Sequence, residues 1–122
     1  MKKIALGLGI IFLLVWFQGY AVATGERSVT PGAPAALKLM IVPDGFKLSW
    51  QPSADDPGAV TGYEIVRSDL ASGPFIKVAT EKKGVSEYID TTASREIIYY
   101  YKVRAVADSS YSQYSNTVTG ER

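Results

Sequence analysis

Between Ala36 and Gly120 the chain is built from short runs in which apolar and polar residues alternate, and none of them keeps an α-helical period. Phe46, Leu48 and Trp50 fall on one side of a pleated segment and Lys47 and Ser49 on the other, because successive strand side chains point to opposite faces. The late segment repeats this: Tyr99, Tyr101, Val103 and Ala105 share one face, whereas Tyr100, Lys102 and Arg104 share the opposite one. Both segments therefore read as half-buried strands with an aromatic inner face.

Five further runs complete the pattern, and the segments between them have turn chemistry. Ala36 to Met40 places Leu37 and Leu39 together, and Pro43-Asp44-Gly45 turns the chain into the strand Phe46 to Trp50. Pro52 to Gly58 holds two prolines, two aspartates and a glycine, and predicts a loop. Tyr63 to Arg67 is the third strand. After a turn over Ser68 to Pro74, Phe75 to Ala79 is the fourth, with Phe75 on one side and Ile76 and Val78 on the other. Glu81-Lys82-Lys83-Gly84 is a charged turn. Ser86 to Asp90 around Tyr88, Ile97 to Ala107, and Asn116 to Gly120 around Val118 are the last three strands. Seven short strands spaced by turns predict an all-β sandwich or barrel of antiparallel strands.

The amino-terminal pattern is different in kind. Lys2 and Lys3 precede an unbroken apolar run of 14 residues, Ile4 to Phe17, and Ala21-Val22-Ala23 supplies small residues for a signal peptidase. Residues 1–23 are expected to form a signal-peptide helix whose removal leaves 99 of the 122 residues, enough for one sandwich core. The alternative is an uncleaved anchor, since residues 4–23 make a stretch of 20 with Gln18 its one strongly polar member. Either way the remainder is exported, to the periplasm, the cell surface or the medium. Thr24 to Pro34, rich in Gly, Pro and small polar residues, is expected to be a flexible leader, and residues 35–120 the folded domain.

Composition narrows the chemistry. The chain has no cysteine and no histidine. Disulfides, thiol nucleophiles and a Ser-His-Asp apparatus are thereby excluded, and a zinc site would lack its usual ligands. Beyond residue 23 there are 11 basic and 12 acidic residues, a balance that gives no electrostatic reason to expect nucleic acid or anionic lipid as a partner. No cofactor and no metal are expected. Scattered single acids do not suggest the facing carboxylate pair of a glycoside hydrolase, so the chain reads as non-enzymatic.

The chain resembles a fibronectin type III domain in Leu48-Ser49-Trp50, Pro52 and Gly62-Tyr63, in Tyr99, Tyr101, Val103 and Ala105, and in Tyr114-Ser115-Asn116. These residues extend the resemblance over about 32–120. It implies a seven-stranded antiparallel immunoglobulin-like β-sandwich, with Trp50 buried between the sheets, Tyr63 and Tyr101 in the core, and Tyr99 bonding back to nearby backbone as a corner tyrosine. Ala93-Ser94-Arg95-Glu96-Ile97 departs from the family's Leu-x-Pro-Gly-Thr approach to that corner, and no Arg-Gly-Asp tripeptide is present. The resemblance further implies a single-domain, monomeric binding or spacer module with a glycan or a protein as its partner, or, if the apolar segment is retained, a membrane-tethered interaction module.

Candidate contacts lie outside the expected core. The loop expected after the sixth strand, Asp108 to Tyr114, sets tyrosines among serines, a composition that offers rigid contact area, and Tyr111, Gln113 and Tyr114 are its candidate binding residues. Asp55 and Asp56 form the one acidic pair in a loop, far short of the oxygen count calcium takes. Tyr100, Lys102 and Arg104 read as a surface ladder that stabilises the sheet.

Overall fold

The computed structural model describes residues 30–122. The signal or anchor expected over 1–23 and most of the expected leader lie outside the described residues. Eight strands run β1 (Ala35–Val42), β2 (Gly45–Gln51), β3 (Gly62–Ser68), β4 (Ile76–Lys82), β5 (Glu87–Asp90), β6 (Tyr99–Ala107), β7 (Ser110–Tyr111) and β8 (Val118–Gly120). They form two sheets, one ordered β1-β2-β5 and the other β4-β3-β6-β7, with β8 also pairing β6, and every pairing is antiparallel. The all-β antiparallel sandwich expected from the sequence is thus the fold. Its extra strand arises because β7 and β8 are the two ends of one edge strand along β6, and the expectation of a plain loop before Asn116 is corrected accordingly.

The alternation of the sequence sets what each strand buries. Phe46, Leu48, Tyr63, Ile65, Tyr101, Val103 and Ala105 are fully buried, and Trp50 nearly so. The rings meet at an angle rather than in parallel: Phe46 and Tyr101 lie edge to face, 6.0 Å apart at 73°, and Trp50 and Tyr63 lie tilted, 5.6 Å apart at 58°. Such offset geometries suit the ring quadrupoles. The fourth strand alternates poorly in sequence because it is bulged. Ile65 pairs with Ala79 and Val66 with Lys77, so Val78 is an extra residue, and Val78 and Ala79 both pack against the core. The sixth strand begins at Tyr99 rather than Ile97, because Glu96 has a φ of 66° and its N–H donates to the Arg122 carbonyl, leaving Ile97 and Ile98 exposed.

The interior also holds one carboxylate. Asp90 ends β5 with no exposed surface and accepts hydrogen bonds from the Tyr101 hydroxyl on β6 (2.7 Å), Arg67 Nη1 on β3 (2.8 Å), and the Thr92 hydroxyl and N–H (2.6 and 2.9 Å). Burial alone would raise its pKa. The Thr92, Tyr101 and Arg67 bonds outweigh that and hold the carboxyl below its ordinary value of 3.8. Burial first, and then the same contact, push the Tyr101 hydroxyl far above 10.0. Because β5 belongs to one sheet and β3 and β6 to the other, Asp90 ties the layers together.

Two further ties close the ends. Ala36 has a φ of 52° within a β1 bulge, and Leu37, left off the ladder, gives its N–H to Asn116 Oδ1 (2.9 Å) and takes Nδ2 on its carbonyl (3.0 Å). The amide side chain, carrying both a donor and an acceptor, does the work of a missing strand rung. Tyr63 donates to Asp56 (2.7 Å) and accepts from the Ser53 N–H (3.1 Å), and burial followed by the Asp56 bond pushes its hydroxyl up to about 12. Residues 31–34, expected as the end of a flexible leader, are instead packed: Pro31 and Pro34 are buried and the Gly32 N–H donates to Asp55.

Asp90→Ala would strand Arg67 and the Tyr101 hydroxyl without their acceptor, and the expected loss is about 3–5 kcal/mol in urea unfolding near neutral pH. Since the folded carboxyl titrates lower than the unfolded one, its stabilisation is complete above pH 3.8 and disappears as pH falls below that value through the folded pKa. Asp90→Asn should flatten that acid limb; an unaltered acid limb in this variant would refute the assignment.

Candidate functional site

The outward face of the β4-β3-β6-β7 sheet is where the remaining chemistry collects. The pairings Glu64 with Arg104 and Val66 with Lys102 set β3 and β6 side by side, and Val106 with Tyr111 adds β7. Arg104 contacts the Glu64 carboxylate through Nε (3.0 Å) and Nη2 (2.9 Å), and Lys77 on β4 approaches the same group at 3.7 Å. The Arg104 guanidinium also lies over the Tyr111 ring at 3.8 Å and near the Tyr114 ring at 5.0 Å. The Lys102 ammonium lies between the Phe75 ring at 4.1 Å and the Tyr114 ring at 4.5 Å. Rings and cations therefore alternate from Phe75 through Lys102, Tyr114 and Arg104 to Tyr111, a series of cation–π contacts with an acid beneath it.

Serines hold this arrangement in place. Residues 112–115 continue the edge strand irregularly: the Ser112 and Ser115 N–H groups donate to the carbonyls of Ala105 (2.9 Å) and Val103 (2.7 Å). In return their hydroxyls accept the N–H groups of Ala105 (2.7 Å) and Val103 (3.0 Å). The serines of the expected binding loop are thus bonded along β6, and they set Tyr111 and Tyr114 over its outward face. Tyr111 is half exposed and Tyr114 half buried. Gln113 is exposed, and among the described residues its side chain makes no hydrogen bond, although its carbonyl accepts from Ser112. Lys102 and Arg104, read from the sequence as a ladder separate from the tyrosine loop, belong to the same cluster as Tyr111 and Tyr114. Glu64, Phe75 and Lys77 were not singled out at all.

Other acids and aromatics are committed elsewhere. Asp55 and Asp56 accept the N–H groups of Gly32 and Gly84, and Asp56 also the Tyr63 hydroxyl. The Tyr99 hydroxyl accepts the Ser94 N–H at 3.2 Å, and the Arg67 guanidinium covers its ring at 4.5 Å. Glu81 and Glu64 both line an open groove beside Gly62, and burial first, then the charges of Asp90 and Glu81, push the Tyr88 hydroxyl up.

Over 100 residues the chain is 48% identical to amylopullulanase of Thermoanaerobacter thermohydrosulfuricus and 35% identical to that of Thermoanaerobacterium saccharolyticum. These matches take in 81% and 82% of the chain and 7% and 8% of the relatives, so the chain spans less than a tenth of the length of the curated relatives it matches. No protein-family model matches it. Among solved structures, a Fn3-like protein from Clostridium thermocellum aligns with a TM-score of 0.63 and 25% identity over 73% of this chain and 90% of that one. The described residues form a fibronectin type III domain.

A β-1,2-glucanase from Parabacteroides distasonis contains a region similar to this fibronectin type III domain, with a TM-score of 0.64 and 25% identity over 75% of this chain and 12% of that one. The β1-β2-β5 layer faces a β4-β3-β6-β7 layer whose inner side is core and whose outer side bears the ring and cation series.

Ser112→Ala removes the acceptor of a buried N–H and should lower stability by about 1–3 kcal/mol in urea unfolding. Gln113→Ala, with no bond to lose, should stay within about 0.5 kcal/mol of the parent. Equal effects for the two would contradict the stitched edge strand.

Proposed function

We propose that this chain is an exported, non-catalytic accessory module that works beside polysaccharide chemistry and touches a glycan through the outward face of its β4-β3-β6-β7 sheet. The observation that carries the reading is the 48% identity to a segment making up 7% of an amylopullulanase, an enzyme named for amylose and pullulan. A segment so small a part of the relative suits a module that spaces or positions, and the buried acids and tyrosines here are engaged in holding the fold. The amino-terminal run, Lys2 and Lys3 followed by Ile4 to Phe17 and Ala21-Val22-Ala23, supports export.

Contact through the sheet face follows from its composition. A half-exposed ring with one side covered by a guanidinium keeps its other side for the apolar face of a sugar, and flanking polar groups can meet hydroxyls. Its exposure and its guanidinium-backed ring support Tyr111 for that role.

The test uses native protein recovered from the producing cell's envelope or medium and run through gels containing amylopectin, pullulan or polygalacturonate. The expected results are an amino terminus at Thr24, retardation by at least one polysaccharide, weaker retardation of Tyr111→Ala, and no release of reducing ends. Unretarded migration in all three gels would overturn glycan contact. An intact Lys2 region in the membrane fraction would favour the tethered form, and steady release of reducing ends would overturn the non-catalytic role.

A further inference from the structure

The outward sheet face is strongly unbalanced in charge. It gathers Lys77, Lys82, Lys102 and Arg104 around Glu64, and Glu81 also borders the groove described below. With both acids counted that is a net charge of +2 in a chain whose residues after 23 sum to −1, so the rest of the surface and core together carry −3. Lys77 and Arg104 share Glu64, at 3.7 and 2.9 Å. Among the described residues, Lys82 and Lys102 have no carboxylate within ion-pair distance. Lys102 is held between two rings, which fixes its position while leaving its charge unneutralised.

An open groove of about 470 Å³ lies on the same face, bounded by Thr61, Gly62, Glu64, Thr80, Lys82 and Val106. Its floor has no side chain at Gly62, where a Cβ would come within 2.5 Å of the Glu81 carbonyl oxygen. Val106, which lines the groove, pairs with Tyr111 on the side away from Lys82, and the Tyr111 ring lies over Arg104, the partner of the groove-lining Glu64. Lys82 pairs beside Gly62 and Lys102 beside Val66, placing the two unpaired cations four residues apart along β3, about 13 Å by strand rise.

We propose that this face binds an acidic polysaccharide, one whose sugars carry uronate carboxylates. A ring packs on Tyr111 above the Gly62 groove, the Thr61 and Thr80 hydroxyls and the Glu64 carboxylate meet sugar hydroxyls, and Lys82 and Lys102 receive carboxylates. The occupant follows from the combination on the page. Cations alone would accept any polyanion and a ring alone would accept a neutral sugar, whereas an acidic glycan, the class a module working beside polysaccharide chemistry meets, uses both together. This rests on the glycan-contact reading above and makes it specific.

The experiment is calorimetric titration of the intact exported protein with polygalacturonate, amylopectin and polyglutamate, repeated with Lys82→Ala and Lys102→Met after thermal unfolding confirms that each is folded. Polygalacturonate should bind, and each lysine change should weaken it about tenfold, the effect of one charge-assisted contact. Raising salt from about 0.1 M to about 1 M, which shortens the screening length from about 10 Å to about 3 Å, should weaken it further. Amylopectin and polyglutamate should each bind at least about tenfold less tightly. Polyglutamate binding as tightly as polygalacturonate, or lysine variants indistinguishable from the parent, would overturn the proposal. Binding to amylopectin alone would overturn it while leaving glycan contact standing, and binding to neither polysaccharide would overturn both. Lys82→Ala, a change at an exposed and unpaired side chain, keeps the test decisive if Lys102→Met fails to fold.

Discussion

A carboxylate with no exposed surface can stay ionised inside a protein only if its charge is met from every side, and Asp90 imposes that condition on this sandwich. Its partners come from β3, β6 and the residues just beyond β5, so satisfying one charge requires both sheets to be in place. The register depends on it too. Asp90 pairs with Phe46 and Ile89 with Lys47, so a slip of one residue would turn the carboxylate outward and bring Ile89, now 45% exposed, inward. The aromatic core pays no such directional constraint on its own, since apolar packing alone tolerates more than one arrangement.

With the inner side of β6 given over to that interior, its outer side is available for other work. Tyr101 and Val103 face the core while Lys102 and Arg104 reach the opposite surface, one residue away in each case. Strand alternation therefore separates stability from recognition along a single segment. The edge strand adds to the separation: Ser112 and Ser115 attach it to β6 by backbone-like bonds, and Tyr111 and Tyr114 project from it over the cations. Arg104 belongs to both layers of meaning, since its ion pair with the largely buried Glu64 supports the sheet and its guanidinium supports a ring that faces outward.

The strands were legible in the sequence wherever one side is buried, because alternation is a local signal: Phe46 to Trp50 and Tyr99 to Ala107 announce their inner faces directly. The fourth strand was less so, since the bulge at Val78 breaks the period, and that bulge is fixed by pairing with β3 rather than by neighbouring residues. The candidate face was only partly legible. Tyr111 and Tyr114 stood out by composition and Lys102 and Arg104 by alternation, yet their meeting depends on how residues 112–115 run along β6. Phe75 and Glu64 come from still more distant segments. Asp90 carried no signal as the central tie, because an aspartate after a strand reads as turn chemistry until the strands around it are placed.

The joining of the two sheets therefore turns on Asp90 being an ionised, fully bonded group within the core. A carbon-detected nuclear magnetic resonance titration of its side-chain carboxyl measures this directly. The predicted result is a carboxyl that remains ionised below the ordinary value of 3.8 and, when it does protonate, does so together with loss of the folded signals of Tyr101 and Arg67. A midpoint above 3.8 in a molecule that stays folded would mean that burial outweighs the Thr92, Tyr101 and Arg67 bonds, and would contradict the central role given to this residue.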